Sequence, residues 1–128
     1  MSDESKLSQR TRRRKEAHAQ LLGTGSKVYE GFLAMERAAF TAGTLQKKDK
    51  ELIAVGISVV KNCESCMQWH IEQASGAGAT FEEIFEAIEV GIEMGGGPAT
   101  VSARFALEVM ESLGWNAAEH RRYEMEHL

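Results

Sequence analysis

The sequence predicts an all-α protein, on three observations. Apolar residues recur at three- and four-residue steps, as in Val28, Phe32, Met35, Ala39 and Phe40. The single proline is Pro98, so no earlier segment carries a residue that forbids a helix interior. No segment alternates apolar and polar residues as a half-buried strand would. A chain of 128 residues is expected to form one domain of about six helices, with a real but not generous core.

A first helix is expected over about residues 8–22, stopped by Gly23, with Thr24-Gly25-Ser26 as a turn and Ser26 as the next N-cap. A second runs from Lys27 to about Ala42. Gly31 inside it costs about 1 kcal/mol against alanine unless another helix packs closely there. A third covers about 48–61. Leu52, Ile53, Val55, Gly56, Ile57, Val59 and Val60 leave it no polar stripe, so it demands burial on most sides, in a bundle centre or against another subunit. Asn62 reads as the N-cap of a fourth helix from Cys63 to about Ser75, and the break there predicts a central αα-hairpin.

Thr80 and Glu83 form a capping box for a fifth helix over about 81–94. Phe81, Ile84, Phe85, Ile88 and Ile92 face inward; Glu82, Glu86, Glu89 and Glu93 face outward. Gly95-Gly96-Gly97-Pro98 is a sharp break, not a phosphate cradle, because the lysine and hydroxyl of such a loop are missing. A sixth helix over about 99–113 turns Phe105, Val109 and Met110 inward. The expected organisation is a polar basic arm over 1–16, a helical domain over 17–113, and a charged tail or helix over 114–128.

Composition narrows the function classes. The hydrophobic share of 43% and charged share of 27% are those of an ordinary soluble chain. Residues 1–20 carry a net +3 and the remainder −7, for −4 overall, so nucleic acid is not an expected partner. The basic run Arg10-Thr11-Arg12-Arg13-Arg14-Lys15 lacks interleaved aromatic residues and reads as a solvated helix or one that meets an acidic surface. No apolar run is long enough to span a membrane, and no signal-type core opens the chain; a cytoplasmic location is expected. His18, His120 and His127 show no sequence-close partner and are expected to be exposed.

Chemistry concentrates in ELIAVGISVVKNCESCMQWH, residues 51–70. The only two cysteines stand as Cys63-Glu64-Ser65-Cys66, and His70 follows four residues later. Helical steps of three and four bring Cys63, Cys66 and His70 into one stripe, with Trp69 adjacent. A cysteine at a helix N-terminus meets unpaired N–H groups and the positive dipole end, which favour thiolate. A thiol peroxidase needs such a thiolate, a second thiol to trap the sulfenic acid, and a proton source for the leaving group. Glu51 complements His70 only if the third and fourth helices pack side by side.

Other readings use the same residues. Cys63, Cys66, His70 and Glu51 equal a zinc site in number, but three of them would have to converge from successive turns of one helix. An inert pair in a structural or binding oligomer is a third class. Decarboxylation would want a cofactor or a cluster of cations, and neither is expected here, nor is a metal.

The set Glu51, eleven residues, Cys63-Glu64-Ser65-Cys66, three residues, His70 resembles the signature of the AhpD-like, or carboxymuconolactone decarboxylase, family. The flanks KDKELIAVGISVVKNCESC and GIEMGGGPATVSARFALEVME fit as well, so the resemblance covers roughly residues 30–113. It implies an AhpD-like helical bundle and a peroxiredoxin-type antioxidant activity on hydroperoxides. It also implies a trimer or hexamer built from dimers. The roles it implies are Cys66 as attacking thiol, Cys63 as resolving thiol, and Glu51 with His70 as a proton relay. A histidine found just before the second cysteine in one family member is here Ser65. Exchange chemistry admits a lipoyl group, a thioredoxin-like partner or a small thiol as reductant.

Overall fold

The computed structural model describes residues 5–128 and consists of seven helices. They are α1 (Lys6–Gly23), α2 (Lys27–Phe40), α3 (Lys47–Val60), α4 (Glu64–Gly76), α5 (Phe81–Gly95), α6 (Gly97–Ser112) and α7 (Ala117–Glu126). The all-α expectation holds, and the C-terminal segment is a helix. The first four residues of the basic arm lie outside the described residues. The chain divides into two compact units, one up to Ala42 and one from Gly43 onward.

The first unit is the hairpin of α1 and α2. Ser5 caps α1 and Ser26 caps α2, each hydroxyl accepting a backbone N–H three residues on at 3.1 Å. Gly25 makes the turn at φ +73°. His18 Nδ1 lies 2.5 Å from the Tyr29 hydroxyl, so His18 is partnered and not simply exposed. Neither helix buries a residue. Val28, on the apolar face of α2, is 85% exposed. No close packing offsets the cost of Gly31: a side chain there would meet nothing within 4 Å.

The second unit holds the core. Helix α3 packs on α4 and α5, and α6 closes the bundle against both. Val55, Val59, Met67, Ile71, Ile84, Ile88, Val109 and Met110 are fully buried. Each such large apolar side chain contributes roughly 1.5–3 kcal/mol relative to exposure. Helices α3 and α5 cross where neither has a side chain in the way. A Cβ at Gly91 would sit 2.7 Å from the Gly56 carbonyl oxygen and 3.0 Å from Val59 Cβ. Only part of α3 is covered: Val55, Ser58 and Val59 are buried, while Ile53, Ile57 and Val60 stay exposed.

The capping box of α5 forms as expected, Glu83 N–H to Thr80 Oγ1 at 3.1 Å and Thr80 N–H to Glu83 Oε1 at 2.9 Å. The glycine run breaks the chain at Gly96 alone, φ +71°, and Gly97 already belongs to α6. His120 is not exposed as expected. Its ring packs 4.3 Å from Phe85 and 5.9 Å from Trp115, seating α7 on α5. His127 stacks on Tyr123 with centroids 3.9 Å apart, one helical turn away. These partners were hidden because ring contacts leave no period in the sequence. Among the described residues no helix is long and apolar enough to cross a membrane.

Candidate active site

Helices α3 and α4 are joined by Lys61, Asn62 and Cys63. Asn62 N–H bonds the Val59 carbonyl at 3.2 Å, and Cys63 N–H bonds the Ser58 carbonyl at 3.1 Å. This is the Schellman pattern, which requires a left-handed residue just past the helix. Asn62 supplies it at φ +52° and is the sole non-glycine residue with positive φ among those described. Asparagine visits this region more readily than most residues because its side chain can bond locally. The expected cap assignment therefore shifts by one. Asn62 ends α3, and Cys63 is the N-cap of α4, its Sγ accepting the Cys66 N–H at 3.2 Å.

Cys63 and Cys66 form a disulfide with Cα atoms 5.2 Å apart. Both are partly buried. His70 lies one turn beyond Cys66 on α4, and its Nδ1 is 2.7 Å from Oε1 of Glu51. Glu51, in the first half of α3, is 2% exposed. A buried carboxylate is costly unless paired and hydrogen-bonded. Here both oxygens have partners: Oε1 faces His70, and Oε2 lies 3.4 Å from Lys47 Nζ. Lys47 is itself held by Gln73 of α4, whose Oε1 accepts at 3.0 Å. The chain Gln73–Lys47–Glu51–His70 thus clamps the two helices side by side.

Of the four residues singled out in the sequence, the structure joins Cys63 with Cys66 and Glu51 with His70, as two separate pairs. Lys47 and Gln73 were missed. The Lys47-to-Glu51 spacing of four was legible, but nothing local tied Gln73 to either. Ser102 was missed as well: its hydroxyl, 4% exposed, donates to Asn62 Oδ1 at 2.9 Å from the middle of α6. Among the described residues no group of three His, Cys, Asp or Glu side chains converges as a metal-binding set.

At the rim of the α3–α5 contact, Lys48 Nζ meets Glu83 Oε2 at 3.0 Å. The Thr80 backbone N–H, and then Lys48, hold the Glu83 carboxyl below its usual value. Glu83, first by its hydrogen bond and then by its charge, raises Lys48.

Comparison with known proteins agrees with this architecture. Residues 26–109 match the carboxymuconolactone decarboxylase family model. An uncharacterised protein of the cox locus of Paracoccus denitrificans is 39% identical over 89 residues, 70% of this chain and 80% of its own length. An uncharacterised protein of Cupriavidus necator is 40% identical over 82 residues, 64% of this chain and 73% of its own. Among solved structures, a carboxymuconolactone decarboxylase family protein of Legionella pneumophila superposes with a TM-score of 0.81 at 33% identity, covering 88% of this chain and 100% of that one. A Thermotoga maritima member of the family, for which a part in an antioxidative response has been suggested, gives 0.70 at 31% identity, covering 77% and 86%. With the family match spanning most of the chain, and the all-α bundle and the Cys63–Cys66 pair in agreement with it, this chain belongs to the carboxymuconolactone decarboxylase, or AhpD-like, family.

Proposed function

We propose that the protein is a thiol-dependent peroxidase that reduces hydroperoxides through a Cys63/Cys66 dithiol–disulfide cycle. The observation that carries this reading is the partly buried hydrogen bond from Glu51 of α3 to His70 of α4, the helix that starts at the disulfide pair. With Glu51 ionised, the proton between the two resides on His70 Nδ1, and the basic lone pair is on Nε2. That imidazole, one turn from Cys66, is the proton acceptor and donor of the cycle. The Cys66 thiolate attacks the peroxide oxygen, the O–O bond breaks, and the departing alkoxide takes a proton from the relay. Cys66 is now a sulfenic acid. The Cys63 thiol attacks its sulfur, water leaves, and the disulfide forms. Two external thiols, or one dithiol of the lipoyl or thioredoxin kind, return both cysteines to the reduced state and become a disulfide themselves. The one-equivalent oxidation needs no cofactor.

A second reading has its own observation. The Cys66 N–H points at Cys63 Sγ, which favours thiolate character on the first cysteine, as in oxidoreductases that exchange disulfides with a protein partner. Separate Cys63→Ser and Cys66→Ser variants, given one equivalent of an organic hydroperoxide and a dimedone probe, distinguish the two. Labelling of Cys66 in Cys63→Ser, with little label in the reverse variant, is expected. Label confined to Cys63 would reverse the assignment. Two folded variants that take no label would leave disulfide exchange as the activity.

A further inference from the structure

The turn between α3 and α4 hinges on one residue in a left-handed conformation. Asn62 sits at φ +52°, where a residue with a Cβ is held only if its surroundings hold it. The two Schellman hydrogen bonds come from the chain itself. The third restraint comes from 40 residues away: the Ser102 hydroxyl of α6 donates to the Asn62 carboxamide at 2.9 Å. Ser102 has a second acceptor within its own helix, the Pro98 carbonyl at 3.4 Å, so it is not obliged to bond Asn62 in order to be satisfied. Its shorter bond is spent on the turn.

We propose that the Ser102–Asn62 hydrogen bond is a latch that sets the reduction potential of the Cys63–Cys66 pair. Ser102 and Asn62 are positioning residues; neither is required to touch a reacting atom. This rests on reading the pair as redox-active. Asn62 is bonded directly to Cys63, and Cys63 is at once the last residue of the Schellman turn and the N-cap of α4. Fixing Asn62 therefore fixes where Cys63 leaves α3 and where its sulfur meets Cys66. In the dithiol state the same latch keeps the two thiols close, because the alternative conformations of a loosened turn are removed before the disulfide forms. Ring closure then costs less entropy, as in any pre-organised closure. The latch thus favours the disulfide over the dithiol, and its loss makes the pair a stronger oxidant.

The test is an equilibrium titration of the full chain against reduced and oxidised glutathione, with the thiol state read by alkylation and mass. Two glutathione thiols reduce the protein disulfide and leave as one glutathione disulfide, so the equilibrium constant reports the pair directly. Ser102→Ala removes the donor in a helix that accepts alanine well. Asn62→Gly removes the acceptor and keeps a residue suited to positive φ. Each is expected to shift the constant toward the dithiol by about two- to tenfold, the worth of one net hydrogen bond. A tenfold shift corresponds to about 30 mV for this two-electron couple. The double variant is expected to shift no further than the larger single one, since both remove the same bond. Ser112→Ala, on the same helix but bonded only to Val109, is expected to leave the constant unchanged.

Variants that titrate like the parent within about 1.5-fold would overturn the latch and leave the redox reading intact. Additive shifts from the two single variants would overturn it also, because the residues would then act separately. A parent disulfide that dithiothreitol cannot reduce in the folded protein would remove the redox reading and the latch together.

Discussion

Glu51 has its two oxygens committed to different cations or donors, and it keeps almost no solvent. Replacing it by glutamine keeps the shape and removes the charge that orients the His70 ring. Glu51→Gln is therefore expected to slow peroxide-driven formation of the disulfide by about 10²-fold or more, the lower range for loss of a positioned proton relay. Stopped-flow measurement at fixed peroxide, with circular dichroism to show an unchanged helix content, checks this; an unchanged rate would remove the relay from the mechanism. At this scale the sequence was informative about identity. A carboxylate opening an apolar run, and a histidine one turn past Cys66, both stood out. It said nothing of Gln73, whose bond to Lys47 exists only because α3 and α4 lie side by side.

Helix contacts decide which glycines matter. Gly91 faces the Gly56 carbonyl, a backbone atom that cannot swing away, whereas Gly31 faces open space. Gly91→Ala is expected to destabilise the second unit by about 1–3 kcal/mol through overpacking. Gly31→Ala is expected to stabilise α2 by up to about 1 kcal/mol through helix propensity. Urea denaturation of both variants checks the opposite signs, and a neutral Gly91→Ala would mean the α3–α5 crossing relaxes freely. The Lys48–Glu83 contact belongs to the same crossing. Because the Glu83 carboxyl is lowered in the folded state, its contribution is fully present above the ordinary value of 4.5 and is lost as pH falls through the lowered one. Lys48, raised from 10.5, contributes below that value and loses its contribution as pH rises through the raised one. Glu83→Gln is expected to flatten the acid limb of the stability–pH curve below about pH 4.5, which denaturation at stepped pH reads. An unaltered acid limb would show the contact to be too exposed to count.

For the whole molecule, the outer faces of α3, α5 and α6 carry Ile53, Ile57, Val60, Val90, Met94 and Val101 in exposed positions, with Met94 72% exposed. Six large apolar residues are thus left uncovered on the second unit, and their burial would favour association. We propose that the protein assembles with copies of itself, as a trimer or hexamer, through this surface. Ile57→Glu is expected to lower the sedimentation mass toward the 14.1 kDa of one chain while leaving the helical spectrum intact. A parent protein that already sediments as a monomer at micromolar concentration would defeat the proposal.

Six of the seven helices in order, the caps at Ser26 and Thr80, and the stripe of Cys63, Cys66 and His70 were determined by the sequence itself; the seventh was left open between a tail and a helix. All depend on forces that act within a few residues: the 3.6-residue period, capping hydrogen bonds and the punctuation by glycine and proline. Tertiary structure alone decided three other things. It paired Glu51 with His70 across 19 residues, and it set Ser102 against Asn62 across 40. It also gave Asn62 to the end of α3 and left Cys63 to cap α4. An asparagine before a helix is suited to either a cap or a left-handed turn. Here it takes the left-handed turn, and its carboxamide accepts from Ser102 of α6, a residue far along the chain.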